Sequence, residues 1–179
     1  MNRYDEIEIL ANDLIKKYDT RNPIKILKNR DVVVMPFKGN TKLLGMYTII
    51  ENTRFVFFNP NISEEMKNMV FAHELAHDVL HSEEAKTRHL HEFELFNIET
   101  KLETEANLFA SHLLLDENEI RELANLDYTY DQIASCLNVN VNLLLFKISE
   151  INRKHFKYNI NIKASNDYLS NENNTFKIW

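Results

Sequence analysis

The chain has 179 residues, enough for one domain with a substantial core, or a domain with a small appendix. Apolar residues make up 44% and charged residues 27%, near the globular average, which excludes a wholly disordered chain. The single cysteine, Cys136, excludes a disulfide framework, and 21 basic against 27 acidic residues argue against direct nucleic-acid binding.

No run approaches the ~18 apolar residues of a membrane span. The opening MNRYDEIEIL is too acidic, and its apolar run too short, for a secretory signal. A cytoplasmic location is therefore expected. Only two glycines occur, Gly39 and Gly45, so there is no glycine-rich phosphate loop, and asparagine supplies most of the turn chemistry.

In chain order, residues 3–18 predict a helix, with Tyr4, Ile7, Ala11, Leu14, Ile15 and Tyr18 at helical spacing. Asn22-Pro23 can open a short helical turn over residues 24–27. The character then changes. Residues 32–35, 46–50 and 55–58 are β-branched or aromatic runs, separated by turns at 38–40 and 51–52. They predict a small three-stranded, mostly antiparallel sheet. From Asn61 or Ser63, either of which can cap, the pattern is helical to about His81, and its second half is apolar nearly all round. Residues 82–98 read as a polar, irregular connection. A further helix is expected over residues 99–115, then shorter ones near 117–124, 129–137 and 141–153. Thr129 with Gln132 has the form of a capping box. Residues 158–162 alternate as a short strand would, and the last dozen carry no packing pattern.

The buried helix carries His73-Glu74-Leu75-Ala76-His77, an HExxH. Residues at i and i+4 lie about 40° apart around a helix, so two imidazoles there can converge on one zinc at roughly 2.0–2.1 Å. Glu74, rotated by about 100°, is too far round to be the ideal ligand yet close enough to act as general base on a water. Two histidines and a glutamate on an apolar helix would otherwise be costly buried polar groups; the alternative is a pair of hydrogen-bonded core histidines.

A catalytic zinc needs a third protein ligand. His81 lies about 80° round from His73 and one turn further on, so it cannot close on the same metal. The extended HExxHxxGxxH pattern also fails, with Leu80 and Glu83 at the required positions. The next long helix offers Glu103-Thr104-Glu105-Ala106-Asn107. Glu103 and Asn107 share a face, with Glu103 as ligand and Asn107 as hydrogen-bond partner of a ligating imidazole. Glu105, rotated by about 200° from Glu103, is expected to be a solvated surface charge whose removal changes stability by about 0.5 kcal/mol or less. The alternative leaves both glutamates on the surface.

HELAH followed by ETEANLFASHLLL resembles the ImmA/IrrE family of zinc metallopeptidases, whose pattern is HExxH and then E-x-x-A-N-x-F-A-x-x-L-L. The matching positions are Glu103, Ala106, Asn107, Phe109, Ala110, Leu113 and Leu114, and the likeness spans about residues 5–155. The layout is closest to the ImmA branch. Two positions depart from the pattern: Asp116 stands where many members have proline, and Ala76 where many have glycine. The resemblance implies His73, His77 and Glu103 as zinc ligands and Glu74 as catalytic residue. It implies an α+β fold, a mainly helical, gluzincin-type core with the small sheet, followed by a short C-terminal helical segment. The expected division is a metallopeptidase core over residues 1–116, a helical segment packed on it over 117–156, and a polar, Asn-rich tail over 157–179. It also implies a biological role, an anti-repressor of a mobile element or prophage that cleaves its cognate helix-turn-helix repressor.

Other signals are weaker. Residues 132–145 resemble a helix-turn-helix pair, but basic residues are sparse there, which favours two packed core helices over DNA contact. Cys136 reads as core, and His112, about 180° from Glu103, should not face a metal. A donor to the oxyanion of the reaction is needed; Tyr47, His89 and His91 are the candidates. The edge of the sheet can receive a substrate segment as an added strand. The leading expectation is a zinc endopeptidase acting on a protein substrate, with no membrane partner. The alternatives are a metal-containing protein that binds the repressor without cutting it, and a DNA-binding regulator.

Overall fold

A computed structural model describes residues 1–87, 90–92 and 100–154; of His91 and Glu92 only the backbone is described. The chain folds as α1 (Arg3–Tyr18), α2 (Pro23–Asn29), β1 (Val33–Pro36), β2 (Gly45–Ile50), β3 (Thr53–Phe58), α3 (Glu64–Leu80), α4 (Ser82–Ala85), β4 (Leu90–Glu92), α5 (Lys101–Leu114), α6 (Glu117–Asn125), α7 (Tyr130–Cys136) and α8 (Val141–Lys154). This is the α+β architecture expected from the sequence.

The helices begin where side chains satisfy the first free N–H groups. Asn2 accepts from Asp5 N, Asn22 from Lys25 N, Ser63 from Met66 N and Thr100 from Glu103 N. Thr129 and Gln132 form the full reciprocal capping box that opens α7. Asp116, where the resemblance favours proline, caps α6 by accepting from Asn118 N and pairs with Arg21 at 2.6 Å.

The strands lie in the order β1-β3-β2-β4. β2 and β3 form a hairpin whose turn residues, Glu51 and Asn52, both have positive φ (48° and 64°), as a tight twisted hairpin requires. β1 runs parallel to β3, and β4 antiparallel to β2. The sheet thus gains a fourth strand from the segment expected to be irregular. α4 also forms there, started by the backbone bond from Ala85 N to His81 O. Three residues are too few for a periodic signal, and β4 exists because β2 offers it a partner edge at Gly45, Met46 and Tyr47.

Helix α3 lies between the sheet and α5, and α1 and α8 pack on the far side of α5. All ten residues from Met69 to Asp78 on α3 are buried, as are all nine from Glu105 to Leu113 on α5. That placement explains their sequences: a helix covered on two sides is apolar nearly all round, so every polar group on it must find a partner inside. Cys136 is exposed, contrary to the core position expected. Ile133 and Ala134 make the buried face of α7, and Cys136 is about 200° round from Ala134. The alternating residues 158–162 lie outside the described residues. Among the described residues no helix is long and apolar enough to cross a membrane.

Candidate metal centre

Histidines 73 and 77 stand one turn apart on the buried half of α3, and α5 crosses in front of them. Their Nε2 atoms are 3.1 Å apart. Glu103 brings Oε2 to 3.0 Å from His73 Nε2 and 3.8 Å from His77 Nε2. One ligand atom from each of the three lies within 4.8 Å of the others. Behind this cluster, Asn107 Oδ1 is 3.0 Å from His73 Nδ1.

This donor set fits a metal ion. An amide oxygen only accepts, so the proton of His73 sits on Nδ1 and its Nε2 lone pair faces Glu103. Two lone-pair atoms at 3.0 Å repel unless a proton or a cation lies with them. Burial pushes the neighbouring His77 down to about 4, so that imidazole brings no charge to the cluster at neutral pH. Burial works to raise the Glu103 carboxyl, but a proton or cation shared with the His73 and His77 rings outweighs it and holds the group well below the usual carboxylate range. Two imidazoles and one carboxylate are the donor types of a catalytic zinc site.

Glu74 is fully buried beside the sheet. Its carboxylate lies against Gly45 at the start of β2: a Cβ there would fall 2.2 Å from Glu74 Oε1 and 2.7 Å from Val70 Cγ1. One of the two glycines in the chain is therefore a requirement of the space around Glu74. The sequence signal was available, an isolated glycine heading a strand, which marks close approach of another group.

Sequence reasoning misplaced or missed several other residues. Glu105 is not a solvated charge: it is 2% exposed, accepts from Arg3 Nε and Nη2 at 3.0 and 2.7 Å, and lies 3.2 Å from His81 Nε2. The helix phase turned it away from Asn107 as expected. What lies on that side is Arg3 of α1 and the C-terminal end of α3, not water. His81 stays out of the three-residue cluster and instead places Nδ1 2.9 Å from His77 Nδ1. Asp78, next to His77, has a side chain with no exposure, held by Arg30 Nε at 2.6 Å, Arg54 Nη1 at 3.0 Å and the Tyr47 hydroxyl at 3.0 Å. Arg54 also donates to the Arg30 carbonyl. This network ties α2, β2 and β3 to the helix that carries the histidines. An acidic residue amid an apolar run, with arginines on the preceding elements, was its one trace in the sequence.

The same network removes Tyr47 from the oxyanion candidates. The residue is fully buried, its hydroxyl is committed to Asp78, and burial with that carboxylate drives its pKa far above the ordinary value. His89 and the His91 side chain lie outside the described residues. His112 faces α8, where Lys147 Nζ donates to its Nδ1 at 3.0 Å, well away from the cluster as expected.

Comparison with known proteins agrees with this geometry. Residues 27–149 match the IrrE N-terminal-like peptidase domain, a span that holds the HExxH, Glu103, Glu105 and the sheet. The chain is 32% identical over 149 residues to "Uncharacterized immunity region protein 2" of Bacillus phage phi105, covering 83% of this chain and 93% of that protein. It is 27% identical over 148 residues to "Metallopeptidase ImmA" of Bacillus subtilis (strain 168), covering 79% of this chain and 83% of that protein. A His-His-Glu cluster with both histidines buried and Glu103 half-buried, in a chain with these relatives, places the protein in the ImmA/IrrE family of metallopeptidases.

Proposed function

We propose that the chain is a zinc endopeptidase that cleaves a helix-turn-helix transcriptional repressor, with His73, His77 and Glu103 as metal ligands and Glu74 as general base. The observation that carries this reading is the convergence of two imidazole nitrogens and a carboxylate oxygen within 4.8 Å. When bound, zinc supplies Lewis-acid polarisation of a water molecule and of the scissile carbonyl.

The chain's own residues do the rest. Asn107 orients His73 through its Nδ1–H, so the ring presents Nε2 to the cluster. Glu74, one residue from a ligand and pressed against Gly45, is held where it takes a proton from the attacking water and returns it to the departing amine. Its buried surroundings give that carboxylate a low local dielectric, where a proton acceptor acts strongly. The substrate strand adds at the side of the sheet that β4 closes, since β4 pairs with Gly45, the residue nearest Glu74.

The repressor assignment rests on context. One relative bears the name of a phage immunity-region protein and another that of a metallopeptidase. The immunity-region name of the first relative supports a repressor as the substrate of this chain, and both would act in the cytoplasm. The same reading assigns catalysis to residues 1–116, with 117–156 as a helical segment whose α8 braces α5.

The test is co-expression of this chain with a candidate helix-turn-helix repressor from the same genome, with zinc and with chelator, read by intact mass. Cleavage at one bond that chelator abolishes supports the reading. An intact repressor that still co-purifies with the zinc-loaded chain means titration without proteolysis.

A further inference from the structure

One ligating histidine, His73, is backed by a neutral amide; the other is backed by something longer. His77 Nδ1 meets His81 Nδ1 at 2.9 Å. The opposite nitrogen of His81, Nε2, meets Glu105 Oε2 at 3.2 Å. That same oxygen accepts from Arg3 Nε at 3.0 Å and Nη2 at 2.7 Å. His77, His81 and Glu105 are each at most 2% exposed, so water does not supply the missing partners.

The proton positions in this chain follow from its far end. A carboxylate paired with a guanidinium only accepts, so His81 Nε2 carries the hydrogen. A neutral His81 then has a bare Nδ1, which accepts from His77 Nδ1–H. His77 is left with its lone pair on Nε2, the atom that faces His73 and Glu103. Reversing any one link puts two hydrogens, or none, between a pair of buried nitrogens. Each bond also polarises the next, so the charge of Glu105 is felt at His77 through an intervening imidazole.

We propose that Arg3, Glu105 and His81 are positioning residues that act in series to fix the tautomer of His77 and strengthen it as a metal ligand. The proposal rests on the assignment of His77 to the metal. It gives the second glutamate of the ETEAN motif a role separate from the first: Glu103 contacts the metal, and Glu105 acts on it through two imidazoles. It also makes Arg3, at the start of α1, part of the centre although it lies far from it in sequence.

The first test needs no mutation. In zinc-loaded wild-type protein, long-range nitrogen–proton NMR of the imidazoles should show His77 protonated on Nδ1 and metal-bound through Nε2. His81 should be the neutral Nε2–H form with a bare Nδ1. A doubly protonated His81, or one protonated on Nδ1 alone, overturns the proposal. The second test is zinc affinity by competition with a chromophoric chelator. His81→Phe should weaken zinc binding by roughly 10–100-fold, the usual effect of losing a ligand's hydrogen-bond partner. Glu105→Leu should fall in the same range and Glu105→Gln, whose amide oxygen can still accept, should recover much of the loss. The double variant His81→Phe/Glu105→Leu should lose no more than the worse single variant, because the two act in series. Wild-type affinity in the single variants, or losses that add, contradicts the proposal. His77→Ala separates the two readings: stoichiometric zinc in that variant removes the ligand assignment itself. Loss of zinc there, with unchanged affinity in His81→Phe, removes only the relay.

Discussion

Helix α5 carries a buried histidine contact at each end, and the two are chemically opposite. Near its start, Glu103 and Asn107 meet two imidazoles of α3 whose bare nitrogens crowd one space. Near its end, His112 meets Lys147 of α8, and the lysine donates to the imidazole's lone pair. Histidines are buried in both clusters, and burial pushes His77 down to about 4 and His112 down to about 3. Burial therefore does not distinguish a metal site from a structural one. Proton accounting does: a lone pair already facing a donor has no use for a cation, whereas converging acceptors need one.

The largest effect expected at the first cluster comes from Glu74→Gln. The ligands stay in place and the base is lost, so cleavage should fall by roughly 10²–10⁴-fold with zinc content unchanged. A variant that cuts at near the wild-type rate removes Glu74 from the mechanism. Gly45→Ala should be milder. A methyl group there collides with Glu74 Oε1, so the carboxylate must move while the metal ligands remain. A fall of about tenfold or more in kcat with full zinc occupancy is expected, since small displacements of a catalytic group are costly. Unchanged kcat would mean that Glu74 works from another position.

Glu105→Ala tests how far the polar interior extends beyond the cluster. The side chain is buried with Arg3 and His81, so its loss leaves His81 Nε2–H without an acceptor. Destabilisation of about 1–3 kcal/mol is expected in urea, well above that of an ordinary surface change. A loss below about 0.5 kcal/mol would restore the surface reading.

The smallest expected effect lies at the other end of α5. Burial pushes Lys147 down to about 8. Between about pH 8 and the ordinary lysine value near 10.5, the unfolded chain holds a proton that the folded chain has released. Stability contributed by this residue therefore rises with pH through that window. Comparing urea midpoints at about pH 7.5 and about pH 9.5, wild type should gain relative to Lys147→Met, and zinc content should be the same in both. Parallel behaviour of the two proteins would show that Lys147 is not desolvated as described.

Much of this was legible in the sequence because it depended on local period and capping. The spacing of Ile7, Ala11 and Leu14, the cap at Ser63 and the Thr129–Gln132 box each specify a helix within a few residues. The HExxH and the i, i+4 relation of Glu103 to Asn107 are also local, and the structure brings His73, His77, Glu103 and Asn107 together. What escaped depended on contacts between distant segments. β4 is a strand only because β2 accepts it. Glu105 is buried only because Arg3, 102 residues away, comes to cover it. Asp78 looks like a stray charge until Arg30, Arg54 and Tyr47 are placed around it. A helical wheel says which way a side chain points, but not what stands there.

The most direct test of the central claim is the zinc content of Glu103→Ala beside Glu105→Ala, measured by elemental analysis on folded protein after identical purification. The account predicts about one zinc per chain in wild type, since one cluster of suitable donors is present among the described residues. It predicts near-complete loss of zinc in Glu103→Ala, because two imidazoles alone do not make a closed site. Glu105→Ala should still load zinc when the ion is in excess, with weakened affinity. A Glu103→Ala protein that retains stoichiometric zinc, while Glu105→Ala arrives metal-free even in excess zinc, would contradict the account and move the third ligand two residues along α5.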